Sequence, residues 1–124
     1  GIFVTNKGTA TSYVRVKLVM NWVSDDGKTI SGEPVNIDVK YDTTKWFEQD
    51  GIYYYKTPVA PTGQTSNLLE GNPIKQPEGA PDGYHLEVTV LAESIQAAPS
   101  RAVEGAWPAV KVDSGSLMAN TPTP

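Results

Sequence analysis

The chain contains no cysteine, which excludes disulfides, thiolate metal sites and cysteine nucleophiles together. It fits a cytosolic protein and one exported from a Gram-positive cell equally well, because a core of this length can do without cross-links. There is a single histidine, His85. A zinc peptidase needs two imidazoles on one helical face, as in H-E-x-x-H, and His85-Leu86-Glu87 in a strand pattern offers nothing of the kind. Ser12, Ser24, Ser94 and Ser100 therefore lack a base other than His85, so a nucleophilic triad is not expected. No apolar run approaches the roughly 18 to 20 residues of a membrane helix, and no signal peptide or internal repeat is visible. Lysine and arginine number 10 against 14 acidic residues, a net charge of −4. Basic residues nowhere cluster, so nucleic acid is not an expected partner.

What is present points to strands. At 124 residues the chain has the length of one domain able to bury a substantial core. Its 11 glycines and 10 prolines, with many Thr, Val and Tyr, disfavour long helices and favour short strands joined by turns. In Ser12–Val23 the residues Val14, Val16, Leu18, Met20 and Trp22 share one parity, while Tyr13, Arg15, Lys17 and Asn21 share the other. That alternation marks a strand with one dry and one wet face. Tyr84–Ile95 repeats it, with Leu86, Val88, Val90 and Ala92 set against His85, Glu87, Thr89 and Glu93. The two are expected to pair antiparallel, Arg15 and Lys17 facing Glu87 or Glu93.

Ile2–Asn6 reads as a short strand forming an opening hairpin with the long strand across Asn6-Lys7-Gly8-Thr9-Ala10. Val35–Tyr41 alternates as a further strand. Trp46-Phe47 and Ile52–Lys56 flank Asp50-Gly51, a two-residue hairpin signal. Thr65–Leu69 is a short strand with Leu68 or Leu69 inward, and Asn72–Gly83, rich in proline and glycine, is a loop. Pro99 suits a first helical position, so one short helix is expected before Pro108, with Trp107 as its plug into the core and Trp22 also buried. The domain is assigned to 1–112. Residues 113–124, which include Asp113-Ser114-Gly115-Ser116 and Thr121–Pro124, have the composition of a flexible tail or linker.

The closest acidic pairs are Asp25 with Asp26, Asp38 with Asp42, and Glu48 with Asp50. None fits a twelve-residue calcium loop, and turn chemistry accounts for them. No catalytic residue, cofactor or metal site is expected. The remaining candidates for contact with a ligand or partner are aromatic: Trp46, Tyr53, Tyr54 and Tyr55. Exposed rings on a sheet can stack on sugars or on protein, yet alternation places Tyr53 and Tyr55 on the face opposite Tyr54, and core packing competes for the whole set.

Several segments taken in order resemble a known family. They are Thr5–Ala10 leading into Ser12–Lys17, then Trp46, Gly51–Lys56, Pro61-Thr62-Gly63-Gln64-Thr65 before Leu68-Leu69, and Val88–Ala97. Together they are similar to the exported Gram-positive proteins of the TasA and camelysin group, which travel with a SipW-type signal peptidase. The resemblance implies an antiparallel β-sandwich of immunoglobulin-like or jelly-roll kind, located outside the cell or on its surface, where it serves in a matrix or in adhesion. In that group a leader and an N-terminal segment precede the N-x-G-T turn, so the resemblance also implies a domain short of its first strand. Some members polymerise by lending a strand to a neighbour. Peptidase activity has been ascribed to camelysin-like proteins, but no residues here could carry a zinc site.

The expectation from all of this is a non-enzymatic, mainly β surface or matrix protein that associates with itself or with other surface proteins, assembling by β-strand addition. The alternative is a carbohydrate- or host-ligand-binding module using Trp46 and Tyr53–Tyr55.

Overall fold

The computed structural model describes residues 1–35, 39–70 and 80–120. The chain is mainly β, with two antiparallel sheets and a single short helix, and belongs to the β-sandwich-like class. Its centre is β1 (Ser12–Ser24), the stretch of strict alternation. β2 (Trp46–Gln49) and β3 (Ile52–Tyr55) form the hairpin that Asp50-Gly51 announces, and β4 (Tyr84–Gln96) pairs with β1 along its entire length. Strand order in this sheet is β2-β3-β1-β4. Asp50 and Gly51 both take positive φ, 53° and 82°, the conformation whose twist suits a two-residue hairpin. α1 (Ser100–Ala106), preceded by Pro99, leads into a second hairpin of β5 (Val110–Asp113) and β6 (Ser116–Ala119).

Two apolar clusters lie on opposite faces of the sheet. One gathers Tyr13, Tyr54, Val103, Trp107, Val110 and Leu117; the other gathers Val14, Val16, Trp46, Val59 and Leu68. The expectation of one wet face on β1 is therefore corrected at its N-terminal half, where Tyr13 and Val14 are both buried. The cause is α1 with the β5–β6 hairpin, which covers the face that parity alone assigned to water. Tyr13 fits there because its hydroxyl donates to the Gly115 carbonyl at 2.8 Å, and burial raises its pKa.

Three further expectations are corrected. Ile2–Asn6 does not form a hairpin with β1. It crosses to residues 63–68, the Leu68 N–H donating to Ile2 O, Thr65 N–H to Val4 O and Asn6 N–H to Gly63 O. Residues 113–120 are not a free tail, since β6 closes a hairpin and Leu117 is 2 % exposed in the core. The Ser114-Gly115 pair, at φ 51° and 81°, is a tight turn rather than a linker. Nor is the apolar parity of β4 covered along its length: Val90 and Ala92 are exposed, because the layer over that face packs on β1 and stands off from β4 across a groove.

The long strands meet as expected. Arg15 stands opposite Glu93, and their side chains pair at 3.0 Å. Lys17 meets neither acid, which corrects that half of the expectation: the register sets it opposite Leu91. Trp22 and Trp107 are buried. Of the strand expected over Val35–Tyr41, residues 36–38 lie outside the described residues, and Tyr41 makes one antiparallel bridge to Leu69. Most of the 72–83 loop likewise falls outside them.

Candidate functional site

The four aromatic candidates do not converge on a surface. Trp46 is 0 % exposed and Tyr54 1 %, so neither offers a face to a ligand, which corrects the expectation for these two. The alternation of the hairpin explains the split. Tyr54 points to the helix side, stacked on Phe47 at 5.2 Å and edge-on to Trp107 at 5.9 Å. Tyr53 and Tyr55 point to the other side, half-buried, where Tyr53 meets Tyr41 at 5.1 Å and Tyr55 meets Trp46 at 4.9 Å. The Tyr55 hydroxyl accepts from the Ser66 N–H at 3.3 Å. Burial pushes the Tyr53 pKa up, with the Glu48 carboxylate and Tyr41 adding to it. These rings hold the hairpin to the rest of the protein, each good pair contributing about 0.5–1.5 kcal/mol beyond area burial.

Carboxylates elsewhere are engaged in turns. Asp26 accepts from the Ser24 hydroxyl and the Lys28 N–H, Asp42 from Thr44, and Glu48 from the Gly51 N–H. The Ser24 bond to Asp26 and the Thr44 bond to Asp42 hold both acids below their ordinary pKa. Asp38 lies outside the described residues. His85 sits between two acids, Nδ1 at 3.1 Å from Asp25 Oδ1 and Nε2 at 3.5 Å from Glu87 Oε1. Its two nitrogens face different carboxylates, which favours the protonated ring. Among the described residues, no group of three or more His, Asp or Glu could hold an ion.

The pKa of His85 is raised above its ordinary 6.5, chiefly by the hydrogen bond with Asp25, with Glu87 adding. The stabilisation from the protonated ring is therefore complete below the unfolded-state pKa and fades as pH rises through the higher folded-state value. An NMR titration of His85 is expected to show a midpoint above 6.5, and Asp25→Asn to lower it. An unchanged midpoint in that variant would contradict the pairing.

The feature that parity alone did not reveal is the outer edge of β4. The Asp25 N–H donates to Gly83 O and the Ala97 N–H to Thr11 O, each at 2.9 Å, and between these bonds the β1–β4 register runs without a bulge. In an antiparallel pair, bonded and non-bonded positions alternate, so odd-numbered residues of β4 direct their N–H and C=O groups at β1. Leu86, Val88, Val90, Ala92 and Ser94 direct theirs outward, and among the described residues no backbone group pairs with them. The same stretch carries exposed apolar side chains, Val90 at 42 % and Leu91 at 50 %.

Beside it runs a groove of about 480 Å³. Its floor includes Val14, Ala92 and Ser94, and its wall is the 4–10 segment with Lys7 and Thr9. Asn6 shapes that wall. Its amide donates to the Ala10 and Val59 carbonyls, both at 2.9 Å, and its side-chain oxygen accepts from the Gly8 N–H. The Asn-x-Gly spacing was the available signal, but nothing local shows that the wall stands over β1 and β4 instead of forming a hairpin. Arg15 braces the opposite face, its guanidinium 4.6 Å above the Trp107 ring and paired with Glu93.

Among the described residues no helix is long and apolar enough to cross a membrane. Comparison with known proteins finds no matching family model, no similar curated protein and no similar solved structure.

Proposed function

We propose that this is a non-enzymatic protein of the cell surface or extracellular matrix, structural or adhesive in role, that assembles by β-strand addition. The observation that carries the assembly reading is the outer edge of β4: a long, uninterrupted run of outward N–H and C=O groups flanked by exposed Val90 and Leu91. Such an edge is a template for another strand, and main-chain bonding of this kind supplies affinity while side-chain pockets supply selectivity. Proteins kept as monomers blunt their edges with lysine, proline or bulges. Between Tyr84 and Gln96 β4 has no lysine, proline or bulge, and its acidic side chains are Glu87 and Glu93 alone. The resemblance to the TasA and camelysin group supplies the extracellular setting and fits an edge that accepts a strand.

The carbohydrate-binding alternative retains only Tyr53 and Tyr55, half-buried and already committed to Tyr41, Trp46 and Ser66. A flat stacking platform needs more exposed ring than this.

The test is sedimentation velocity over a wide concentration range, followed by electron microscopy. Self-association of the wild type, weakened by Val90→Lys at an unchanged fold, is the expected result. A protein that remains monomeric at millimolar concentration and forms no higher-order species would refute the assembly reading.

A further inference from the structure

The geometry points to a second copy of this chain as the occupant of the β4 edge, two β4 strands pairing antiparallel about a two-fold axis at Thr89. This rests on the strand-addition reading and specifies its partner. A strand that joins this edge must itself present outward backbone groups at alternate positions, and β4 does so with the same parity. Pairing a strand with its own copy gives a closed, self-complementary contact in which each interaction occurs twice.

Charge selects among the possible registers. An axis at Val90 would set Glu87 directly against Glu93, and like charges opposite one another destabilise a sheet. An axis at Leu91 would set Glu87 against Ile95 and Glu93 against Thr89, so neither acid would gain an oppositely charged neighbour across the contact. An axis at Val88 would oppose Glu93 to Gly83, beyond the end of the partner's strand. The axis at Thr89 sets Glu87 against Leu91, adds Glu93, which also pairs with Arg15, opposite the His85 ring that lies between Asp25 and Glu87, and brings Val88 against Val90 and Leu86 against Ala92. Those apolar residues share one face, so the two strips lie side by side across the contact and each shields the flank of the other. In this register Tyr84 of each copy stands opposite Ser94 of its mate, beside the groove walled by Lys7 and Thr9, which has room for the ring.

The chain has no native cysteine, so a single introduced thiol reports on the register alone. At the axis, Thr89 would face its own copy in a non-hydrogen-bonded pair with Cα atoms roughly 4.5 Å apart, within the span a disulfide accepts. Thr89 is exposed, and substituting it leaves both cores intact. Under mild oxidation Thr89→Cys is expected to yield a disulfide-linked dimer as the main product, while Leu91→Cys and Glu87→Cys stay monomeric on a non-reducing gel. Val90→Lys is expected to raise the dissociation constant at least tenfold in sedimentation velocity. Cross-linking at Leu91→Cys in place of Thr89→Cys would overturn the register. Oligomers that form without any Thr89→Cys cross-link would overturn the symmetric pairing but leave strand addition standing. A wild-type chain monomeric at millimolar concentration would remove both.

Discussion

Trp46→Ala is expected to remove about 3–5 kcal/mol of folding stability, the range for truncating a large buried aromatic. A domain of this size commonly has only about 5–15 kcal/mol in all, so the variant should sit close to its unfolding midpoint at modest temperature. Trp46 is wholly enclosed, edge-on to Tyr55 at 4.9 Å and central to the cluster of Val14, Val16, Val59 and Leu68. Its indole N–H is buried without a hydrogen-bond partner. Trp46→Phe keeps most of the ring and deletes that unsatisfied donor, so it should lose far less than the alanine variant. Urea denaturation followed by far-UV circular dichroism measures both. A loss below about 1 kcal/mol in Trp46→Ala would mean that the indole is not packed as described. Tyr54→Ala belongs to the same class of lesion, and a binding signal lost in that variant would report unfolding before it reported a lost contact.

Leu117→Ala is the second large effect, expected at about 2–5 kcal/mol. Leu117 lies in the cluster with Tyr13, Tyr54, Val103, Trp107 and Val110, and its N–H donates to the Lys56 carbonyl at 2.8 Å, joining β6 to the end of β3. The exposed neighbour Met118 serves as the control: Met118→Ala should fall within about 0.5 kcal/mol of the wild type, as surface changes usually do. Equal effects at the two positions would mean that β6 is not docked, and the C-terminal segment would then be the linker its composition suggests.

Period-two alternation was enough to find β1 and β4 as sheet partners and to put Arg15 within reach of Glu87 or Glu93, but not to choose the register that selects Glu93 and sets Lys17 against Leu91. The Asp50-Gly51 dipeptide was enough for the β2–β3 hairpin, because a positive φ at two successive positions is a local demand that few residues meet. Both signals are short-range. What stayed hidden depends on which layer arrives from elsewhere. Tyr13 and Tyr54 have the parity of a wet face and are buried only because α1 and the β5–β6 hairpin fold back over them. Asp113-Ser114-Gly115-Ser116 has the composition of a linker and also that of a tight turn, and only the burial of Leu117 decides between them. Val90 and Ala92 have the parity of a dry face and remain open because the 4–10 segment stands off from β4 across a groove instead of packing on it.

The candidate site was legible to the same extent. Tyr53, Tyr54 and Tyr55 were correctly divided between two faces, but a ring that stacks on a ligand and a ring that stacks on Phe47 look alike in one dimension. The position of β4 at the edge of its sheet was not legible in the sequence. Whether a strand lies at the rim of a sheet is set by the order in which strands assemble, here β2-β3-β1-β4, and alternation carries no information about that order.

The pairing of Arg15 with Glu93 also constrains how the molecule comes into being. β1 is made early and its longest partner late, so on the ribosome the face that Val103, Trp107, Val110 and Leu117 cover must wait until nearly all of the chain has emerged, whereas Trp46, Val59 and Leu68 are available to the other face sooner. A nascent chain stalled before Tyr84 should lack the resistance of the complete protein, and full resistance should come only after β4 and the hairpin that follows it have left the exit tunnel.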